Sequence, residues 1–102
     1  MRSFKADLFK TLAHPLRIRI LDALRAAELT VGELTRQLGA EQSSISQHLA
    51  ALRAKDLVRA RREGTSVWYS VPYAAVWQLL DIARDVYELQ VHDQQAALEA
   101  TT

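Results

Sequence analysis

The sequence predicts a mainly α fold carrying one β-hairpin, with about five helices and two strands in a single domain over residues 1–102. Three observations predict it. Apolar residues recur at helical spacing along most of the chain, the period shortens to two between Leu57 and Val71, and Thr30 and Gly39 punctuate two short helices in tandem. At 49% hydrophobic and 25% charged, with three Gly and two Pro, the composition is that of a folded globular chain.

Phe4, Leu8, Leu12 and Ala13 set a first helix over residues 4–13. Pro15 interrupts that pattern and opens a second helix, because a proline at the first helical position gives up no needed hydrogen bond. Leu16, Ile20, Leu21 and Leu24 form its apolar stripe, and Arg17, Arg19 and Arg25 read first as a solvated face. Thr30 and Glu33 have the spacing of a capping box, which starts a short helix buried through Val31, Leu34 and Leu38 and ended by Gly39. Another helix, from Glu41 to Lys55, buries Ile45, Leu49 and Leu52. Two short helices joined by a glycine-containing turn make a helix-turn-helix over residues 31–55.

Past Leu57, the residues Val58 and Ala60 and then Val67, Tyr69 and Val71 are apolar at alternate positions, with Arg59 and Arg61 pointing the other way. Glu63-Gly64 turns the chain between the runs, giving a hairpin wing over residues 57–71 and hence a winged helix-turn-helix. Pro72 stops the second strand and can start the last helix. That helix carries two adjoining stripes, Val76, Leu80, Ala83 and Tyr87 beside Leu79, Ile82, Val86 and Leu89. So wide an apolar face exceeds what one side of a small domain covers. Residues 4–13 and 73–92 are therefore predicted to dimerise, with Phe4, Leu8, Val76, Leu79, Leu80, Ala83, Val86 and Tyr87 at the interface of a homodimer. The tail from Gln94 to Thr102 is expected to fray.

The formal net charge of +1 conceals an uneven distribution. Residues 1–65 hold 12 of the 13 Lys and Arg and 7 of the 12 Asp and Glu, so the basic surface lies with the helix-turn-helix and wing and the last helix is acidic. The start of the Glu41–Lys55 helix presents uncharged polar side chains, unlike a merely solvated helix, which favours Glu and Lys. Gln42, Ser43, Ser46 and Gln47 suit base edges in the major groove of double-stranded DNA, glutamine pairing bidentately with adenine and serine donating or accepting. Ser44, His48, Arg53, Arg59, Arg61, Arg62 and Thr65 suit the phosphate backbone or wing contacts. Arginines on a hairpin can also serve only to protect its edge, but their place directly after the glutamine and serine helix favours a wing. His48 reads equally as a phosphate contact or as a hydrogen-bonding residue at the helix–core boundary, and His14 as a local helix-end residue.

Enzymatic readings fare poorly, since the chain has no glycine-rich phosphate loop, nucleophile elbow or His-Glu-x-x-His arrangement. With no cysteine, thiolate chemistry and thiolate metal ligation are excluded. Asp81, Asp85, Glu88 and His92 follow one helical flank, but acidic residues so spaced ordinarily form a solvated face, and neither a metal nor a cofactor is expected. The N-terminus lacks the apolar core of a signal peptide, and no apolar run approaches the roughly 18 residues of a membrane span. The expectation is a soluble, cytoplasmic protein.

Four segments in order, Phe9-Lys-Thr-Leu-Ala-His-Pro-Leu-Arg-Ile-Arg-Ile-Leu21, Val31-Gly-Glu-Leu34, Ser43-Ser-Ile-Ser-Gln-His-Leu-Ala-Ala-Leu52, and Leu57-Val-Arg-Ala-Arg-Arg-Glu-Gly64 with Trp68-Tyr-Ser70, resemble the arsenical-resistance-repressor family of bacterial winged-helix regulators. The resemblance covers roughly residues 5–90. It implies a homodimeric transcriptional repressor on a palindromic operator, with Ser43, Ser44, Ser46, Gln47 and His48 in the recognition-helix motif and the wing tip at Arg62 to Thr65. Members of the family are commonly released by an inducer, which here would be an unknown small-molecule or protein effector. The family's cysteine metal sites have no counterpart, and its last-helix zinc pattern is broken, since Asp81 is followed by Ile82 and Ala83, with Gln94 and Ala97 at the later ligand positions. Glu41 stands where the family commonly caps the recognition helix with Ser or Thr.

Overall fold

Ile20, Leu21, Leu34, Ile45, Leu49, Leu52 and Val58 are the side chains most completely withdrawn from solvent, and they come from three helices and the segment that follows them. In the computed structural model, which describes residues 2–101, the elements run α1 (Arg2–Leu12), α2 (Pro15–Ala23), α3 (Val31–Leu38), α4 (Gln42–Ala54), β1 (Arg59–Glu63), β2 (Ser66–Ser70) and α5 (Ala75–Ala100). Helices α2, α3 and α4 pack on one another, with Leu12, Leu57 and Val76 closing the same core from α1, the α4–β1 link and α5.

Local chemistry explains where α3 and α4 begin and end. Thr30 Oγ1 accepts from the Glu33 amide at 3.2 Å while the Thr30 amide donates to Glu33 Oε1 at 3.1 Å, so the expected capping box is complete. Gly39 closes α3 at φ 63°, where a Cβ is disfavoured, and the Gly39 amide donates to the Thr35 carbonyl. Helix α4 starts on Glu41, whose side chain makes no capping bond. It stops in a six-residue wrap in which the Leu57 amide donates to the Leu52 carbonyl and the Asp56 amide to that of Arg53, both at 3.0 Å. This is the Schellman arrangement with Asp56, at φ 58°, in the left-handed position usually held by glycine.

The hairpin pairs Arg59 with Ser70 through to Glu63 with Ser66, so the two-residue loop is Gly64-Thr65 and not Glu63-Gly64. Gly64 takes φ 62° as the first loop residue, the position where a type II′ turn requires glycine. A feature absent from the sequence reading anchors the wing to the body. Leu29, between α2 and α3, exchanges both backbone hydrogen bonds with Tyr69, at 2.8 and 3.2 Å.

Helix α5 differs from expectation at both ends. It starts at Ala75, because the residues after Pro72 first carry the chain round until Val76 enters the core and Trp77 Nε1 donates to the Leu21 carbonyl at 2.8 Å. Val76, assigned above to the dimer interface, is 7% exposed and belongs to the protomer's own core. The tail expected to fray is helical through Ala100, since Gln94, Gln95, Ala96, Ala97, Leu98 and Glu99 contain no helix breaker. The long helix makes the molecule extended, with a radius of gyration of 16.8 Å where a compact chain of this length has about 13 Å.

Candidate nucleic-acid interface

Because Ile45, Leu49 and Leu52 must enter the core, the opposite side of α4 faces outward. Gln42, Ser43, Ser46 and Gln47 are all exposed there, Ser44 is half-buried, and none of the five makes a side-chain hydrogen bond among the described residues. Four donor-acceptor side chains are thus left unpaired on the first two turns of one helix. The sequence reading places its base-reading candidates on this surface, and the fold brings them together.

Pleating sorts the wing residues into two sets. Ala60, Arg62, Val67 and Tyr69 share one face, and Tyr69 lines an open groove with Ser46, Leu49, Ala50, Arg53 and Ala54 of α4. Arg53 and Arg62 have no carboxylate partner among the described residues, and Thr65 sits exposed at the hairpin tip. Arg59 and Arg61 share the other face and are already engaged. Arg61 is bonded to Glu63 within the strand and to Glu28 at 3.3 Å, both of which raise its pKa, Glu63 the more. Arg59 stacks over the Tyr73 ring with its guanidinium carbon 5.5 Å from the centroid. The four arginines of the wing and the α4 end, all read from the sequence as backbone or wing contacts, therefore divide into Arg53 and Arg62, available to a partner, and Arg59 and Arg61, which brace the wing.

Arg17 and Arg19 of α2 and Arg25 just beyond it, expected to form a solvated face, make long-range bonds within the chain while Arg19 and Arg25 stay exposed. Arg19 donates to the Leu38 carbonyl at 2.8 Å, satisfying the C-terminal end of α3. Arg25 holds Asp81 of α5 through two bonds at 3.0 and 3.2 Å and lies 5.9 Å from the Trp77 ring centroid. Its hydrogen bond lowers the pKa of Asp81, and Asp81 in turn raises that of Arg25. Arg17 donates to His48 Nδ1 and to the Thr11 carbonyl, each at 3.0 Å. His48 therefore occupies the helix–core boundary, its ring 5.7 Å from that of His14, with burial first and then Arg17 and His14 lowering its pKa. None of these long-range partnerships carries a sequence signal, since Arg17 and His48 lie 31 residues apart and Arg25 and Asp81 lie 56 apart.

Of the acidic flank considered for a metal, Asp81 is held by Arg25 and Glu88 accepts from Arg84 at 3.0 Å. No group of three or more His, Asp or Glu able to hold an ion occurs among the described residues. Among the described residues no helix is long and apolar enough to cross a membrane.

Residues 14–60 match the model of the "Bacterial regulatory protein, arsR family". The HTH-type transcriptional regulator Rv0081 of Mycobacterium tuberculosis is 45% identical over 96 residues, which span 93% of this chain and 84% of that protein. Its crystal structure superposes with a TM-score of 0.82 at 42% identity, covering 91% of this chain and 94% of that one. The homodimeric winged helix-turn-helix DNA-binding domain Mb0332 of Mycobacterium bovis superposes with a TM-score of 0.77 at 31% identity, covering 87% and 82%. The "biofilm growth-associated repressor" of Xylella fastidiosa is 35% identical over 82 residues, 80% of this chain and 72% of the repressor. With the winged helix-turn-helix in place and its outward polar helix and free arginines on one side, the chain belongs to the arsR family of bacterial DNA-binding transcriptional regulators and is not an enzyme.

Proposed function

We propose that the protein is a cytoplasmic homodimeric repressor that reads a palindromic operator, each subunit setting α4 into the major groove. The observation that carries this reading is the unpaired polar surface at the start of α4, with Gln42, Ser43, Ser46 and Gln47 on base edges. Arg53, Arg62 and Ser44 supply phosphate contacts beside it, and Thr65 the wing tip. Arg59 and Arg61 act in this reading by holding the wing, and His48 by a ring set at the edge of the interface.

The dimer is supported by the apolar surface that α1 and α5 leave uncovered. Phe9, Ile82, Val86 and Leu89 are 57%, 59%, 51% and 63% exposed, and Phe9, Ile82 and Val86 border a groove of about 400 Å³ between α1, α2 and α5. Phe4 and Tyr87 are exposed and Leu8, Leu79 and Leu80 half-buried on the same elements, with Ala83 on the groove wall. A second copy covering this surface would convert an extended protomer into a compact two-fold particle, and the similar Mb0332 domain is homodimeric. Half-sites would then lie about 34 Å apart or a multiple of it. A chain without cysteine offers no thiolate switch, which leaves a small organic molecule, a protein effector or simple autoregulation to control the repressor.

Binding to a library of genomic fragments, measured by fluorescence anisotropy across a salt series, tests the reading. A preferred fragment bound at roughly a thousandfold advantage over random duplex is expected. Equal binding to all fragments would instead mean an architectural DNA binder, and no binding at low salt an interaction module. Sedimentation should give twice the 11.5 kDa chain mass, and Ile82→Glu with Val86→Glu should return it to one.

A further inference from the structure

Arg17 joins three parts of the molecule. From α2 its guanidinium reaches the Thr11 carbonyl in the last turn of α1 and the His48 imidazole on α4, each at 3.0 Å. Since the guanidinium is a donor only and cannot lose its proton, the His48 Nδ1 must be the acceptor. A neutral imidazole that accepts at Nδ1 carries its proton on Nε2, on the far side of the ring from Arg17. That Nε2–H makes no hydrogen bond among the described residues, and His48 is half-buried one turn beyond Ser44 and adjacent to Gln47.

We propose that Arg17 is a positioning residue for DNA binding, which locks the recognition-helix imidazole of His48 as the neutral Nε2–H tautomer and turns that N–H outward as a phosphate donor. The proposal rests on the DNA-binding reading above and deepens it. It assigns a defined role to a residue whose guanidinium is turned to the Thr11 carbonyl and the His48 ring. It also makes the tie conditional, because a proton on Nδ1 removes the acceptor and sets an imidazolium against a guanidinium. The groups facing His48 are Arg17 of α2 and His14 at the α2 N-cap, and both disfavour its charged form. No carboxylate bonds to it among the described residues. The same tie runs through Thr11 into α1, so a shift of α1 against α2 would reach the recognition helix by this bond.

Nitrogen-15 NMR of the full chain labelled at histidine reads the tautomer directly without DNA. In the unmodified protein His48 should show a bound proton at Nε2 alone and titrate below the ordinary histidine value. In Arg17→Met the two tautomers should mix and the midpoint should rise toward 6.5. DNA affinity for the preferred fragment should fall about tenfold in Arg17→Met and in His48→Ala, the scale of one hydrogen bond to a charged group. His48→Gln should stay within about threefold of the parent, because the glutamine Oε1 can accept from Arg17 while its amide donates outward. A His48 proton on Nδ1, an unchanged titration in Arg17→Met, or a His48→Gln variant as weak as His48→Ala would each overturn the proposal. Should Arg17→Met fail to fold, the tautomer of the unmodified protein and the His48→Gln affinity still decide it. No binding to any duplex at low salt overturns the DNA reading and this use of the donor together, whereas DNA binding that is retained by the parent but weak in His48→Gln overturns this proposal alone.

Discussion

Helices α3 and α4 stand next to each other in the helix-turn-helix and begin in opposite ways. At the start of α3, the Thr30 hydroxyl and the Glu33 carboxylate each accept a backbone amide, so two orphan donors are satisfied inside the chain. At the start of α4, the only residue in the capping position is Glu41, which bonds nothing there. One helix is finished by its own sequence. The other leaves its first amides and its first polar side chains unpaired at the surface assigned to DNA. The difference separates what the protein needs to fold from what it leaves for a partner: α3 is braced from both ends, by the capping box and by Arg19 on the Leu38 carbonyl, while α4 is held from its buried side.

The largest test removes the brace. Thr30→Ala should cost about 1–2 kcal/mol in urea unfolding through loss of the box, while DNA affinity per folded molecule stays within about twofold. Glu41→Ala, by contrast, should change stability by less than about 0.5 kcal/mol, because no bond is lost. Next, Glu41→Thr supplies the missing cap and should stabilise the fold by about 1 kcal/mol. It also removes a carboxylate from the end of the helix proposed to meet phosphate, so DNA binding should tighten severalfold in low salt. If Glu41→Thr stabilises nothing, the Glu41 end is not a deficient cap and the contrast between the helices collapses.

At its other end α4 is closed by a residue of the wrong type for its backbone. Asp56 holds a left-handed φ of 58°, a conformation that costs an L-residue roughly 1–2 kcal/mol and a short polar residue such as aspartate less. Asp56→Gly should therefore raise stability by about 0.5–1 kcal/mol. Asp56→Asn keeps the local geometry but removes the one negative charge among Arg53, Lys55 and Arg59, and so should strengthen DNA binding with little change in unfolding midpoint.

Local signals made most of the fold legible. The Thr30–Glu33 box, Gly39 and the change of period at Leu57 sit within a few residues of what they cause. The core residues of α3 and α4 follow from helical spacing alone. What the sequence did not disclose depends on the third dimension. Arg61 and Arg62 are neighbours of the same type, and only pleating and the approach of Glu28 decide that one is tied down and the other free. Val76 belongs to the same stripe as Tyr87, yet the place where α5 meets α2 buries the first and leaves the second in solvent. That Gln42, Ser43, Ser46 and Gln47 of α4 face solvent follows from residue type and helical spacing, because these positions need no partner within the chain. The bonds of the α2 arginines do not, since their partners are far away in sequence.

The smallest expected effect concerns the boundary between these two kinds of residue. Burial, Arg17 and His14 all hold the His48 pKa below its ordinary 6.5 in the folded chain. Between the unfolded value and the depressed folded one, the unfolded chain binds the proton that the native ring refuses, and linkage makes stability fall as pH falls. The contribution is therefore fully present above about pH 6.5 and is lost on acidification toward the folded value. Other groups also titrate on that path, so the informative quantity is a difference. The urea midpoint of the unmodified protein should decline more steeply from pH 7 to about pH 5 than that of His48→Gln, which has no ring to protonate. Parallel curves would mean that His48 takes up its proton as readily in the folded protein as in the unfolded chain, and that α4 is held by its apolar side alone.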